Sequence, residues 1–225
     1  MSKPNDIGLV NAKEVAKAIQ LDKYGFIGTF IGWLLMKVLK ISTLNKFYKK
    51  HKHLKDIDFL DSILDEFKIK FEIPEEDLKR LPKEGAYITV SNHPLGGIDG
   101  ILLLKLMLEQ RDDFKIIANF LLHRIAPLKP YIMPVNPFED RKDVKSSIAG
   151  FKNSILHLRD GHPLGLFPAG EVSTYKDGKL VVDKPWEEAA MKLVKKAEVP
   201  VVPIYFHAKN SNLFYQLSKI SDTFR

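Results

Sequence analysis

Apolar positions along this chain follow more than one rhythm. In "FKIKFEI", residues 67 to 73, Phe67, Ile69, Phe71 and Ile73 alternate with Lys68, Lys70 and Glu72, the period of a strand with one wet face. Beyond "PEEDLKRLPKEG" short continuous apolar runs take turns with longer periodic ones. "AYITVS" (86 to 91) reads as a buried strand, "GILLLKLMLEQ" (100 to 110) as a helix, and "FKIIA" (114 to 118) and "IMPV" (132 to 135) as strands. Residues 141 to 159 set Val144, Ile148, Phe151, Ile155 and Leu158 at three- and four-residue steps, an amphipathic helix that Gly161 closes. "PLGLF" (163 to 167), "PWEEAAMKLVKKA" (185 to 197) with Pro in its first turn, and "VPVVPIYF" (199 to 206) add strand, helix and strand. This alternation predicts an α/β fold with a mixed, largely parallel central sheet flanked by helices. Sites in such sheets lie beyond the C-terminal ends of the strands.

The N-terminal part is organised differently. Within "GFIGTFIGWLLMKVLKISTLNKFYKKHKHLK" (25 to 55), the uncharged run from Gly25 to Met36 is well short of the roughly 20 apolar residues that span a bilayer. Lys37, Lys40, Lys46, Lys49, Lys50 and Lys52 follow, interleaved with Leu39, Ile41, Leu44, Phe47 and Tyr48. Such a mixture suits a helical segment lying in the interface of an anionic membrane; the plainer reading is a hydrophobic helix packed on the domain with a solvated basic end. The expected division is a helical, membrane-associating segment at 1 to 66 and an α/β domain at 67 to 225. At 225 residues and 45% hydrophobic the chain can bury a sizeable core, and its net charge of +7 favours an anionic partner. The absence of cysteine removes disulfides, thiolate nucleophiles and Cys-based zinc sites. "MSKPNDIGLVNAKEVAKAIQ" lacks a signal peptide's basic start and apolar core, so the expected address is the cytoplasmic face of the membrane. "SNLFYQLSKISDTFR" reads as a helix ending without a cap, as in a chain lacking a C-terminal piece.

Candidate chemistry concentrates in "VSNHPLGGIDG", residues 90 to 100, where His93 and Asp99 flank a glycine-rich turn between a strand and a helix. A neutral imidazole accepts a proton near pH 7, and a carboxylate on its other nitrogen fixes tautomer and orientation. There is no cysteine, and Ser91 does not sit in a Gly-x-Ser-x-Gly elbow, so the nucleophile is expected to be a substrate hydroxyl. The amides of Gly96 and Gly97 are candidate oxyanion donors. On spacing alone a second reading stands equally: Asp99 as N-cap of a helix starting at Gly100, with His93 an ordinary turn residue.

Three further stretches follow in order: "VNPFEDRKDVKSS", "GLFPAGEVST" and "VPVVPIYFHAKNS". With "NHPLGGIDG" this series resembles the four motifs of the glycerolipid acyltransferase superfamily, over roughly residues 80 to 210. The resemblance implies His93 as general base, Asp99 as its orienting partner, and Arg141 with Phe167, Pro168, Gly170 and Glu171 around the acceptor head. It also implies Val202 and Pro203 on the acyl side, with Asn92, Gly96 and Gly97 completing the substrate site. Two departures matter: five residues, Pro94 to Ile98, separate His93 from Asp99 where the family usually has four, and Ala169 stands where it usually has Glu. Both look like the hemolysin-labelled branch, which includes O-acyltransferases of lyso-aminolipids.

The resemblance therefore implies an O-acyltransferase moving an acyl group from an acyl carrier protein or coenzyme A thioester to a membrane lysolipid, with no metal or cofactor. Acylation of glycerol 3-phosphate or 1-acylglycerol 3-phosphate is the alternative, and a membrane-active protein without catalysis is the alternative of another class. Nucleic acid is not an expected partner, because the cations concentrate beside a Phe- and Leu-rich stretch. His162 precedes its strand and is expected at the opposite end of the sheet from His93, in a structural role. His51, His53, His123 and His207 show no metal-ligand spacing.

Overall fold

The computed structural model describes residues 9–38, 40–119, 122–135, 144–176, 180–212 and 214–215. The chain divides into two units, Met1–Lys55 and Asp56–Arg225. In the first, α1 (Ala12–Ala18) is opened by a capping box in which Asn11 and Glu14 bond each other's main-chain N–H groups. A 3₁₀ turn leads into α2 (Gly25–Val38), and α3 (Ile41–His51) follows. Among the described residues no single helix is long and apolar enough to cross a membrane.

The second unit begins with α4 (Asp56–Glu66), which buries Phe59, Leu60, Ile63 and Leu64. Its core-facing stripe places it with the α/β unit, so the boundary falls after Lys55 and not after residue 66 as expected. The strand expected at 67 to 73 is absent. Lys68 takes a left-handed φ of 53°, and the Ile69 and Lys68 N–H groups bond the Leu64 and Asp65 carbonyls. That pattern is a Schellman closure of α4. Phe67 and Phe71 are left exposed, and the segment pairs with no described strand.

After the single turn α5 (Glu75–Leu78), the expected alternation appears: β1 (Ile88–Ser91), α6 (Gly97–Leu108), β2 (Lys115–Asn119), β3 (Ile132–Val135), α7 (Val144–Arg159) and β4 (Leu164–Leu166). A hairpin follows, β5 (Thr174–Lys176) with β6 (Leu180–Val182), then α8 (Glu188–Ala197) and β7 (Val201–Ile204). The five-stranded sheet has the order β3-β2-β4-β1-β7, with every pairing parallel. One face carries Ile88, Val90, Leu164 and Leu166, packed against Ile155 and Leu158 of α7 and Leu193 of α8. Burial on both faces is why β1 and β4 read as continuous apolar runs. Pro134 and Pro203 fall on the two edge strands, where a missing N–H costs least.

Candidate active site

All strands of the main sheet point the same way, so the loops after β1, β4 and β7 meet at one end. His93 is in the loop after β1. The next helix starts earlier than expected, at Gly97 and not Gly100, so Asp99 lies inside the first turn of α6 instead of capping it from outside. From there its carboxylate reaches back: Oδ2 accepts the N–H of Leu95 at 2.8 Å and of Gly96 at 3.0 Å, and lies 3.0 Å from Nδ1 of His93. One oxygen thus holds the helix start through two N–H groups and lies beside the histidine. The Nδ1 contact is close but off the axis of a good hydrogen bond, and Oδ1 is buried without a partner. Gly96 makes the turn with φ 75°, and a Cβ there would lie 3.2 Å from Val172 Cγ2.

Asp99 is fully buried, whereas the His93 side chain keeps 18% of its surface exposed. Phe167, following β4, stacks on the imidazole at 4.2 Å between ring centroids, and the Phe206 ring is 6.4 Å from that of Phe167. This is a buried carboxylate beside a partly exposed imidazole that stacks on an aromatic ring. Such a set can take a proton from a hydroxyl presented beside apolar material.

The other expected site residues are placed as follows. Asn92 clamps β1 to the segment after β7, donating to the Phe206 carbonyl at 3.0 Å and accepting the Phe206 N–H at 2.7 Å. Gly97 opens α6. Pro168 is buried and its carbonyl accepts the Glu187 N–H. Gly170 is exposed in the same turn, and Glu171 pairs with Lys184 at 2.6 Å. Val202 and Pro203 sit within β7, in register with Thr89 and Val90 of β1. Arg141 lies outside the described residues. His162 is at the far end of the sheet as expected, with Nδ1 2.7 Å from Asp113 Oδ2. Among the described residues no group of three or more His, Asp and Glu side chains is placed to hold a metal ion.

Sequence reasoning missed Ser173, Asp183 and Asn210. Ser173 donates its N–H to the His93 carbonyl, Asp183 accepts the His93 N–H, and Asn210 donates to the Pro94 carbonyl. "DG" at 177 and 178 between short apolar runs was a legible hairpin signal that would have brought Ser173 and Asp183 together.

Comparison with known proteins agrees with this geometry. A family model described as "Acyltransferase" matches residues 14–224. The chain is 29% identical over 215 residues to a lyso-glycine lipid O-acyltransferase of Bacteroides thetaiotaomicron, covering 94% of this chain and 75% of that protein. It is 30% identical over 219 residues to a lyso-glycine lipid O-acyltransferase of Phocaeicola vulgatus, covering 96% and 75%. A match over nearly the whole chain, with His93 and Asp99 brought together at the end of a parallel sheet, makes this protein a member of the acyltransferase family and an enzyme that transfers acyl groups.

Proposed function

We propose that this enzyme acylates the free hydroxyl of a membrane lysolipid of the lyso-glycine type, using an acyl carrier protein or coenzyme A thioester as donor. The observation that carries the mechanism is the 3.0 Å approach of His93 Nδ1 to the fully buried Asp99. Nε2 of His93 removes the proton of the acceptor hydroxyl, and the oxygen attacks the thioester carbonyl. The tetrahedral intermediate collapses to the ester, and the departing thiolate takes its proton from the imidazolium. General-base catalysis contributes about 10² to 10⁴-fold, and positioning with oxyanion stabilisation supplies the rest. The Gly96 N–H is committed to Asp99, so the oxyanion donors are sought among the first-turn amides of α6, Gly97 first.

The names of the two relatives support the acceptor class, and the turn after β4 supports it separately. Ala169, which stands where the superfamily usually has glutamate, is fully buried, and the acid displaced to Glu171 pairs with Lys184. Arg141 remains the proposed partner of an anionic head group, because a guanidinium grips a carboxylate in two places. The membrane reading is supported by α2, which exposes Phe26, Ile27, Phe30, Trp33 and Leu34. The test is product formation by mass spectrometry with both thioester classes against lyso-glycine lipid, lysophosphatidic acid and glycerol 3-phosphate. Transfer to the lyso-glycine lipid, abolished by His93→Ala, is expected. Efficient acylation of glycerol 3-phosphate in preference to every lysolipid would overturn the acceptor assignment.

A further inference from the structure

Residues 93, 173 and 183 are far apart in the chain, yet the fold closes them into a ring. The main-chain N–H of His93 faces both carboxylate oxygens of Asp183, 3.3 Å from each. The Ser173 N–H donates to the His93 carbonyl at 2.9 Å, and the Ser173 hydroxyl donates in turn to Asp183 Oδ1. The peptide groups on both sides of His93 are therefore held by the hairpin, for Ser173 immediately precedes β5 and Asp183 immediately follows β6. The Lys184 to Glu171 ion pair ties the same two segments once more.

Two strands of three residues each are marginal as an independent hairpin, so their position at the site depends on such ties. The bond from His93 is long and shared between two oxygens, whereas the hydroxyl of the buried Ser173 sets the orientation of Asp183. We propose that Asp183 is a positioning residue for acyl transfer: its carboxylate, oriented by Ser173, fixes the His93 main chain so that the imidazole keeps its place between Asp99 and Phe167. This rests on His93 being the general base. Asp183 touches no reacting atom in this role. Misplacing a catalytic group by about 1 Å costs on the order of 100-fold, although the chemistry of the group is unchanged.

The test measures kcat, the KM of the lyso-glycine lipid acceptor, and thermal melting for Asp183→Ala, Asp183→Asn, Ser173→Ala and His93→Ala, with Leu180→Ser as a control on the exposed side of the same hairpin. Asp183→Ala is expected to lower kcat about 10 to 100-fold with the acceptor KM within about threefold of wild type. Asp183→Asn, which keeps an acceptor oxygen, should recover part of the loss, and Leu180→Ser should leave kcat unchanged. On a His93→Ala background, Asp183→Ala should lower the residual rate no further, a result that a merely structural role would not give. Folded Asp183→Ala with kcat within twofold of wild type would overturn the proposal while leaving His93 in place; an active His93→Ala would instead remove the reading beneath it. Should Asp183→Ala not fold, Asp183→Asn and Ser173→Ala decide in its stead, and wild-type kcat in both would overturn the proposal.

Discussion

A single oxygen, Oδ2 of Asp99, gathers the N–H groups of Leu95 and Gly96 and the Nδ1 of His93. Asn places a carbonyl oxygen in the same position, so Asp99→Asn retains those acceptor contacts and removes the charge that stabilises a protonated imidazole. We expect Asp99→Asn to lower stability by no more than about 1 kcal/mol and kcat by about 10² to 10⁴-fold, read from melting curves and steady-state rates. A folded variant with near-wild-type turnover would leave Asp99 as a helix-start residue only. At the other end of the sheet Asp113 is held by Arg111 and His162. Arg111 holds it through two nitrogens at 2.9 and 2.7 Å, while also donating to the Lys83, Gly85 and Gly161 carbonyls. Burial alone would raise the Asp113 pKa, but the bonds from Arg111 and His162 outweigh it and bring the carboxyl down from 3.8 to about 2. A depressed carboxyl stabilises the fold fully above its ordinary value and loses that contribution as pH falls through the folded one. Asp113→Ala should therefore cost roughly 1.5 to 3 kcal/mol at neutral pH, and its gap from wild type should close as the pH falls from 4 to 2. Urea midpoints across that range check it, and a gap that stayed constant would mean the charge is not what matters.

Among the elements, α1 and α2 meet where a side chain has no room. A Cβ on Gly28 would lie 1.8 Å from the Leu21 carbonyl oxygen, and one on Gly32 2.2 Å from that of Ala12. A seven-residue helix is far below the ~12 to 15 residues that hold a helix in water unaided, so α1 exists through this packing. Gly32→Val should release α1, seen as loss of hydrogen-exchange protection at residues 15 to 18; retained protection would show that the contact is dispensable. Neither glycine's task was legible, because "GFIGTFIGW" announces small residues at four-residue spacing without naming their partner. The strands and helices of the sheet were legible to within about three residues; for β1 and β4 the reason is burial on both faces, which writes itself as continuous apolar runs. The alternation at 67 to 73 misled for a physical reason: a strand needs a neighbour, and there the chain closes α4 with Lys68 instead. His93 and Asp99 were readable as a pair because one turn joins them. The hairpin signal could have paired Ser173 with Asp183, but not with His93, because that partner is a main-chain group 80 and 90 positions away, which no local pattern encodes.

For the whole molecule, the net charge of +7 and the exposed stripe on α2 belong to one prediction. Phe26, Ile27, Phe30, Trp33 and Leu34 fall at steps of one, three, three and one, a single face of a helix, with Phe26 84% exposed. Cations flank that face: Lys23 stands over Tyr24 at 5.3 Å and Lys37 over Trp33 at 4.0 Å. The last turn of α3 adds Lys49, Lys50 and His51. An aromatic stripe with cations beside it suits the boundary between headgroups and acyl chains, and it offers two separable contributions. The electrostatic one is worth about 1 kcal/mol per lysine near an anionic surface, so replacing Lys46, Lys49, Lys50 and Lys52 by Gln should weaken binding to anionic vesicles by up to about a thousandfold at low salt. Raising the salt should act in the same direction and should weaken the quadruple variant less than the wild type. The apolar contribution survives salt, and Phe26→Ser with Phe30→Ser should remove it. On a Trp186→Phe background Trp33 reports insertion directly, by a blue-shifted emission that appears with vesicles and is lost in the serine variant. Equal binding to neutral and anionic vesicles would eliminate the electrostatic contribution, and an unshifted Trp33 in the bound protein would mean that α2 does not enter the interface.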